Sequence, residues 1–246
     1  MLIKRGEKMD LQEFARVKRL SVLASVSIAR LRESPDFPRE LIPRFCHSII
    51  LLARELPSQV FEVESWLKTF YLSQFMKEMD LLSYNLSQLL LEEGHFSMPV
   101  PTFFPVRFEK GRLQGMLSLK HCAVQAGLGS LGLNTLLISP QFGNRLCLSA
   151  VFSQKKEETT PALSPPLCTT CKKCLDICPS GAISEHGVDF LKCLNVRRNL
   201  PGPLKGIISL KVRRKANGGQ LESLLNTIAW NAEMVCSLCM TVCPHF

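Results

Sequence analysis

Eleven cysteines stand in this 246-residue chain, and most fall in two groups whose spacing suits metal ligation rather than a disulfide framework. Cys168, Cys171, Cys174 and Cys178, followed by Pro179, read C-x2-C-x2-C-x3-C-P, the run that serves paired [4Fe–4S] clusters. Reach explains the spacing. Three thiolates on a tight loop grip three corners of one cubane, while the fourth, at the start of the next helix, points away. Cys236, Cys239 and Cys243, followed by Pro244, repeat the pattern without its first cysteine, and Cys193 stands alone between the runs as the natural substitute. The expected sets are therefore Cys168, Cys171, Cys174 and Cys243 for one cluster, and Cys178, Cys193, Cys236 and Cys239 for the other. Zinc is the alternative, since paired C-x2-C motifs also make tetrahedral sites. The triple at two-residue spacing and the two Cys-Pro pairs favour iron–sulfur. Cys46, Cys122 and Cys147 lie in apolar surroundings and are expected to behave as small buried hydrophobes.

A second chemical candidate is Gly127-Leu-Gly-Ser-Leu-Gly132, a literal G-x-G-x-x-G. A dinucleotide site needs a strand before this motif and a helix after it. Here a helix-like stretch precedes and the strand-like TLLIS follows, so that reading is rejected. Close approach of backbone to a large flat ligand is the functional use expected of these glycines, and a tightly packed turn is the structural one. The groups nearby that could handle a proton are His121, Lys120 and Glu109. Imidazole titrates near neutrality in water, which suits a proton donor, although a histidine beside a glycine turn also serves as a plain hydrogen-bonder.

The elements that must position these residues follow from the apolar pattern. Asp10 and Glu13 suggest a capping box opening a helix over 11–20. Residues 22–28, 46–52, 135–139 and 145–152 read as strands. Residues 64–93 carry apolar side chains at helical spacing, among them Phe70, Tyr71, Phe75, Met79, Leu82, Leu86 and Leu90, which predicts core packing along one long helix or two stacked ones. An extended stretch marked by Pro99, Pro101 and Pro105 precedes a helix around 117–126. The Thr/Pro-rich stretch 153–167 reads as a linker and places a boundary between residues 1–155 and 156–246.

Hydrophobic residues make up 46% of the chain, which excludes disorder, and a formal charge of +9 admits an anionic partner. Much of the excess lies late, in Lys192, Arg197, Arg198, Lys205, Lys211, Arg213, Arg214 and Lys215, expected as a loop that is either solvated or a docking surface. No run approaches the roughly 18 apolar residues of a membrane span. Residues 1–14 are too charged for a secretory signal. A soluble protein of the reducing cytoplasm is expected.

The stretch 121–145 closely resembles the AGLG-x-x-G-x-N-x-L-L…P-x-[FY]-G segment of epoxyqueuosine reductases, and the cysteine layout with its lone Cys193 is similar to theirs. The resemblance implies an α/β (α+β) nitroreductase-like cobalamin-binding domain followed by a ferredoxin-like domain with two [4Fe–4S] clusters, a plan shared with reductive dehalogenases. It implies Gly127, Gly129, Gly132, Asn134 and Gly143 as cofactor-binding residues, a base-off corrinoid such as cobalamin as the cofactor, and flavin as the rival occupant. It also implies an anaerobic oxidoreductase supplied by a low-potential donor of ferredoxin or flavodoxin type.

Leu113 stands where those reductases carry their proton-donating aspartate, and Leu119 and Lys120 replace a Glu-Arg pair. His121 and Lys120 are therefore the candidate catalytic residues. With three residues after Cys243, the chain is expected to lack the C-terminal helical repeats that help those enzymes hold tRNA, and to act on a small molecule or a corrinoid protein. An electron carrier without its own substrate is the alternative. Nucleic acid is not expected as a partner, since no RNA-binding module is recognisable.

Overall fold

Asp10 opens the first helix, α1 (Leu11–Val17), by accepting a hydrogen bond from Gln12 N at 3.3 Å. Glu13, the expected second half of a capping box, forms an exposed i,i+3 pair with Arg16 at 3.5 Å. The computed structural model describes residues 10–34, 37–103, 105–109, 112–159, 165–193 and 236–246. The basic stretch expected as a loop lies outside these residues apart from Lys192, which is exposed.

The centre is a four-stranded antiparallel sheet in the order β1 (Val22–Ser27), β2 (Ser48–Glu55), β8 (Leu146–Ser153), β3 (Ser97–Val100). Register sets Ile50 opposite Val151 and Leu52 opposite Ser149, so alternate residues address opposite faces. On one face Ile49, Leu51, Ala150 and Phe152 pack with Ile28 and Leu31 of α2 (Ile28–Leu31) and with Leu119, Cys122 and Ala123 of α4 (Leu119–Gln125). On the other, Ile50, Leu52, Cys147 and Val151 meet Leu11 and Phe14 of α1 and Met79, Leu82, Leu86 and Leu90 of α3 (Ser65–Glu92). Both faces are covered, which is why β2 reads as a continuous apolar run instead of an alternating one.

The stretch 64–93 folds as one helix, α3, but its apolar spacing does not mean core throughout. Phe70 is 53% and Tyr71 40% exposed, and their rings meet edge-on at 5.7 Å. The core contacts belong to its later turns. Pro99, expected only in an extended stretch, sits in β3, an edge strand where a missing N–H costs little. Between β3 and α4 a hairpin forms from β4 (Val106–Glu109) and β5 (Arg112–Gly115), and Leu113 lies on β5.

The expected strand at 135–139 is only a two-residue β7 (Leu137–Ile138), hairpinned with β6 (Ser130–Leu131). The stretch 153–167 begins as the end of β8 and then bonds back to the sheet. Ser48 Oγ donates to Lys155 O at 2.5 Å, Ser25 Oγ to Glu158 O at 2.7 Å, and Ser27 N to Thr159 Oγ1 at 2.8 Å. Beyond it the described elements are short: α5 (Lys173–Asp176), β9 (Ile183–Ser184), β10 (Gly187–Val188), α6 (Phe190–Cys193) and α7 (Leu238–Thr241). No described helix is long and apolar enough to cross a membrane.

Candidate metal centre

Thr170 and Lys172 adopt the left-handed conformation, at φ +54° and +60°, between the first cysteines of the run. Non-glycine residues enter this region at a cost of about 1 kcal/mol each, and here the two bends curl the loop around a cavity. Cys168, Cys171, Cys174 and Cys243 all line that cavity, together with Gly132, Asn134 and Ile138. They are the four residues the spacing grouped, and the fourth arrives from 69 positions beyond Cys174. Burial raises the Cys174 thiol pKa, and the neighbouring Cys168, Cys171 and Cys243 raise it further.

The thiols of the second group are electrostatic neighbours of one another. Burial pushes Cys239 up to about 12, with Cys193 and Cys236 the strongest charged neighbours. Cys193 is raised by burial and by Cys178 and Cys236, while Lys120 pulls it down. At Cys178 burial also acts upward, but the backbone N–H of Ala182, 3.3 Å from its sulfur, and hydrogen bonds at Ser180 outweigh it, so the net shift is downward. Such N–H···S bonds favour thiolate and tune the potential of a bound cluster.

Among the described residues no three or more His, Cys, Asp or Glu side chains gather closely enough to hold one metal ion. Zinc requires four donors around a single centre at about 2.0–2.3 Å. A cubane instead spreads its thiolates, one to each iron. Cys168, Cys171, Cys174 and Cys243 line one cavity with no such close group among the described residues.

Each residue of the glycine segment has a partner within the chain. Gly127, at φ +76°, ends α4 in a Schellman motif: its N–H donates to Val124 O at 3.0 Å, and Leu128 N donates to Ala123 O at 3.0 Å. A Cβ at Gly129 would stand 2.0 Å from Ile138 O, and one at Gly132 would stand 2.8 Å from Asn134 Oδ1. At Gly143 it would stand 2.0 Å from His245 O, a residue a hundred positions away. At these three positions the space a Cβ would take is occupied by the chain's own atoms.

Asn134 and Asn144 reach the last cysteine run. Asn134 Nδ2 donates to Cys239 O and Asn144 Nδ2 to Met240 O, each at 2.9 Å. Asn144 N donates to His245 O at 2.8 Å, the Arg145 guanidinium lies 5.6 Å from the Phe246 ring centroid, and Lys68 Nζ donates to Ser237 Oγ at 3.1 Å. Asn144, Lys68 and Phe246 carried no sequence signal. Only the adjacency of Asn144 to Gly143 hinted at a role.

Of the candidate catalytic pair, His121 is exposed, with Nδ1 2.5 Å from Ser118 Oγ. Lys120 is half-buried beside the second ring; burial lowers its pKa and Cys193 opposes the shift. Cys46, Cys122 and Cys147 are buried as expected, with burial pushing their thiols up to about 11, 12 and 12.

No family model matches the chain. Its fold is the mixed α/β fold of epoxyqueuosine reductases and reductive dehalogenases. A crystal structure of epoxyqueuosine reductase with an epoxyqueuosine-modified tRNA-Tyr stem loop superposes at a TM-score of 0.58 and 17% identity, covering 95% of this chain and 64% of that one. A reductive dehalogenase described for B12-dependent dehalogenation gives 0.59 and 14%, covering 79% and 30%.

The sequence is similar to epoxyqueuosine reductases in particular. It is 31% identical to that of Pseudomonas aeruginosa over 126 residues, which is 51% of this chain and 30% of the relative. Against that of Bacillus subtilis the figures are 24% over 231 residues, 86% of this chain and 52% of the relative. The family resemblance read from residues 121–145 and the cysteines therefore holds, and the chain spans about half or less of these curated relatives' length.

Proposed function

We propose that this chain is an iron–sulfur oxidoreductase module in which residues 156–246 hold two [4Fe–4S] clusters against a nitroreductase-like α/β domain of residues 1–155. The observation that carries the proposal is the convergence of Cys168, Cys171, Cys174 and Cys243 on one cavity, with Cys178, Cys193, Cys236 and Cys239 mutually close beside it. Such clusters supply one-electron transfer at a potential the protein tunes. Here Ala182 N and Ser180 favour the thiolate of Cys178, and Lys120 sets a positive charge beside Cys193. Cys171 and Cys236 are exposed, so both sets open to a low-potential donor of ferredoxin or flavodoxin type.

For the electron acceptor we propose a corrinoid, on the likeness to the B12-dependent dehalogenase, with Gly127, Gly129, Gly132, Asn134 and Gly143 near it. Because the space at Gly129, Gly132 and Gly143 is taken by the chain itself, no step is assigned through that group. The substrate proposed is a small molecule, reduced anaerobically in the cytoplasm, with His121 and Lys120 as the proton-handling groups. A second reading, an electron-transfer or corrinoid-reactivating protein without its own substrate, is favoured by the leucine at position 113.

Anaerobic reconstitution with iron, sulfide and hydroxocobalamin tests the acceptor. Retained cobalt with a base-off corrinoid spectrum supports the first reading. Loaded clusters with no cobalt and no flavin leave the second. A shift of bulk tRNA in a gel would contradict the small-molecule assignment.

A further inference from the structure

Helix α7 has four residues and carries Cys239 within it and Cys243 just beyond it. A helix so short has almost no stability of its own, and its last carbonyls lack helical partners. Both carbonyls at issue are met from the other half of the molecule. Asn134 Nδ2 lies 2.9 Å from Cys239 O, and Asn144 Nδ2 lies 2.9 Å from Met240 O, which also accepts from Cys243 N at 3.3 Å because the i+4 residue, Pro244, has no N–H.

Only an amide nitrogen can face a carbonyl, so these contacts orient both side chains. The orientation leaves a trace. Asn144 is 4% exposed, and its Oδ1 has no hydrogen-bond partner among the described residues. An oxygen buried in this way is tolerated where the donor on the same group is needed. Asn134 is held from the other end, because its Oδ1 accepts from Leu136 N at 3.2 Å, and Gly132 leaves the room its side chain occupies. Gly143 does the same for the tail, since any side chain there would strike His245 O.

We propose that Asn134 and Asn144 are positioning residues for both clusters, acting as the amide clamp that aims Cys239 at one ring of thiolates and Cys243 at the other. The inference rests on the two-cluster reading above. Because α7 bridges the two rings, loosening it disturbs both clusters together, whereas loss of a single ligand disturbs one.

The test uses the full chain with Asn134→Asp and Asn144→Ala, each reconstituted anaerobically beside wild type. Asn134→Asp keeps the acceptor for Leu136 N and removes the donor to Cys239 O, so the hairpin survives. Should Asn144→Ala aggregate, Asn134→Asp carries the test alone. The readouts are iron release to a chelator and the reduced-state paramagnetic resonance of both clusters.

The expected result is release about five-fold faster for each variant, with both cluster signals altered and unchanged far-ultraviolet dichroism. Release and spectra matching a loaded wild type would overturn the clamp, as would a lowered melting temperature with unaltered cluster signals. A wild type that takes up no iron and sulfide would overturn the cluster reading and this inference with it.

Discussion

The two halves of the molecule are held together by different physics. The sheet half buries Ile49, Ile50, Leu51, Leu52, Val151 and Phe152 completely, between α3 on one face and α2 and α4 on the other. The cysteine half contributes Ala182, Ile183 and Met240 to the buried hydrophobic residues described, and its described helices are four residues long. Among the described residues, apolar burial is concentrated in the first half. On the two-cluster proposal, the second draws on what its thiolates bind and on the contacts it receives from the first. Asn134, Asn144 and Lys68 of the first half donate hydrogen bonds to the last cysteine run of the second.

Metal removal should separate the halves most sharply. Chelation under reducing conditions is expected to abolish the order of residues 165–193 and 236–246 while the sheet half keeps its dichroism, and hydrogen exchange resolved by segment checks this. Next in size, Cys174→Ser is expected to lower iron from about eight to about four per chain, and Cys239→Ser to do the same at the other cluster, with distinct resonance spectra.

On the other side of the comparison, Leu86→Ala opens a cavity under the sheet and is expected to cost about 2–5 kcal/mol of sheet stability while leaving the iron count unchanged. Denaturant unfolding followed by dichroism, with iron analysis on the same sample, decides that case.

Smaller effects sharpen the contrast among the thiols. Cys46, Cys122 and Cys147 titrate at about 11, 12 and 12 in the fold against an ordinary 9.0. They should resist alkylation at pH 8 in the apo protein, where the exposed Cys171 and Cys236 react. Their folded pKa values are raised, so the native state keeps protons that the unfolded chain releases. Their contribution to stability is full below about pH 9 and is lost as pH climbs toward 12. Mass spectrometry after labelling and unfolding curves at pH 8 and 11 check both statements. The smallest effect is expected at the Lys172–Glu185 pair, 2.6 Å apart with both side chains more than half exposed: Lys172→Ala should leave the melting temperature unchanged.

Much of this was legible in the sequence, for reasons that differ by region. β2 and β8 were readable because a strand covered on both faces is apolar at nearly every position. Cys168, Cys171 and Cys174 were readable as neighbours because two-residue spacing keeps them on one short loop, and Cys243 joins them at the same cavity. Periodicity failed at Phe70 and Tyr71, since a helical stripe reports a common face and not whether anything lies against it. Pro99 obscured β3 because its cost depends on being at a sheet edge, which is a property of the whole topology. Asn144 left only its place beside Gly143 as a signal, because its partner, Met240 O, is 96 positions away. The glycine segment was legible as tight packing, but the backbone that Gly143 lets approach belongs to the far end of the chain.

The central claim is that the two thiolate rings hold two cubanes. Iron and acid-labile sulfide per chain, measured on wild-type protein after anaerobic reconstitution, test it most directly. About eight of each are expected. One or two metal ions per chain with no sulfide would contradict it and return the cysteines to zinc.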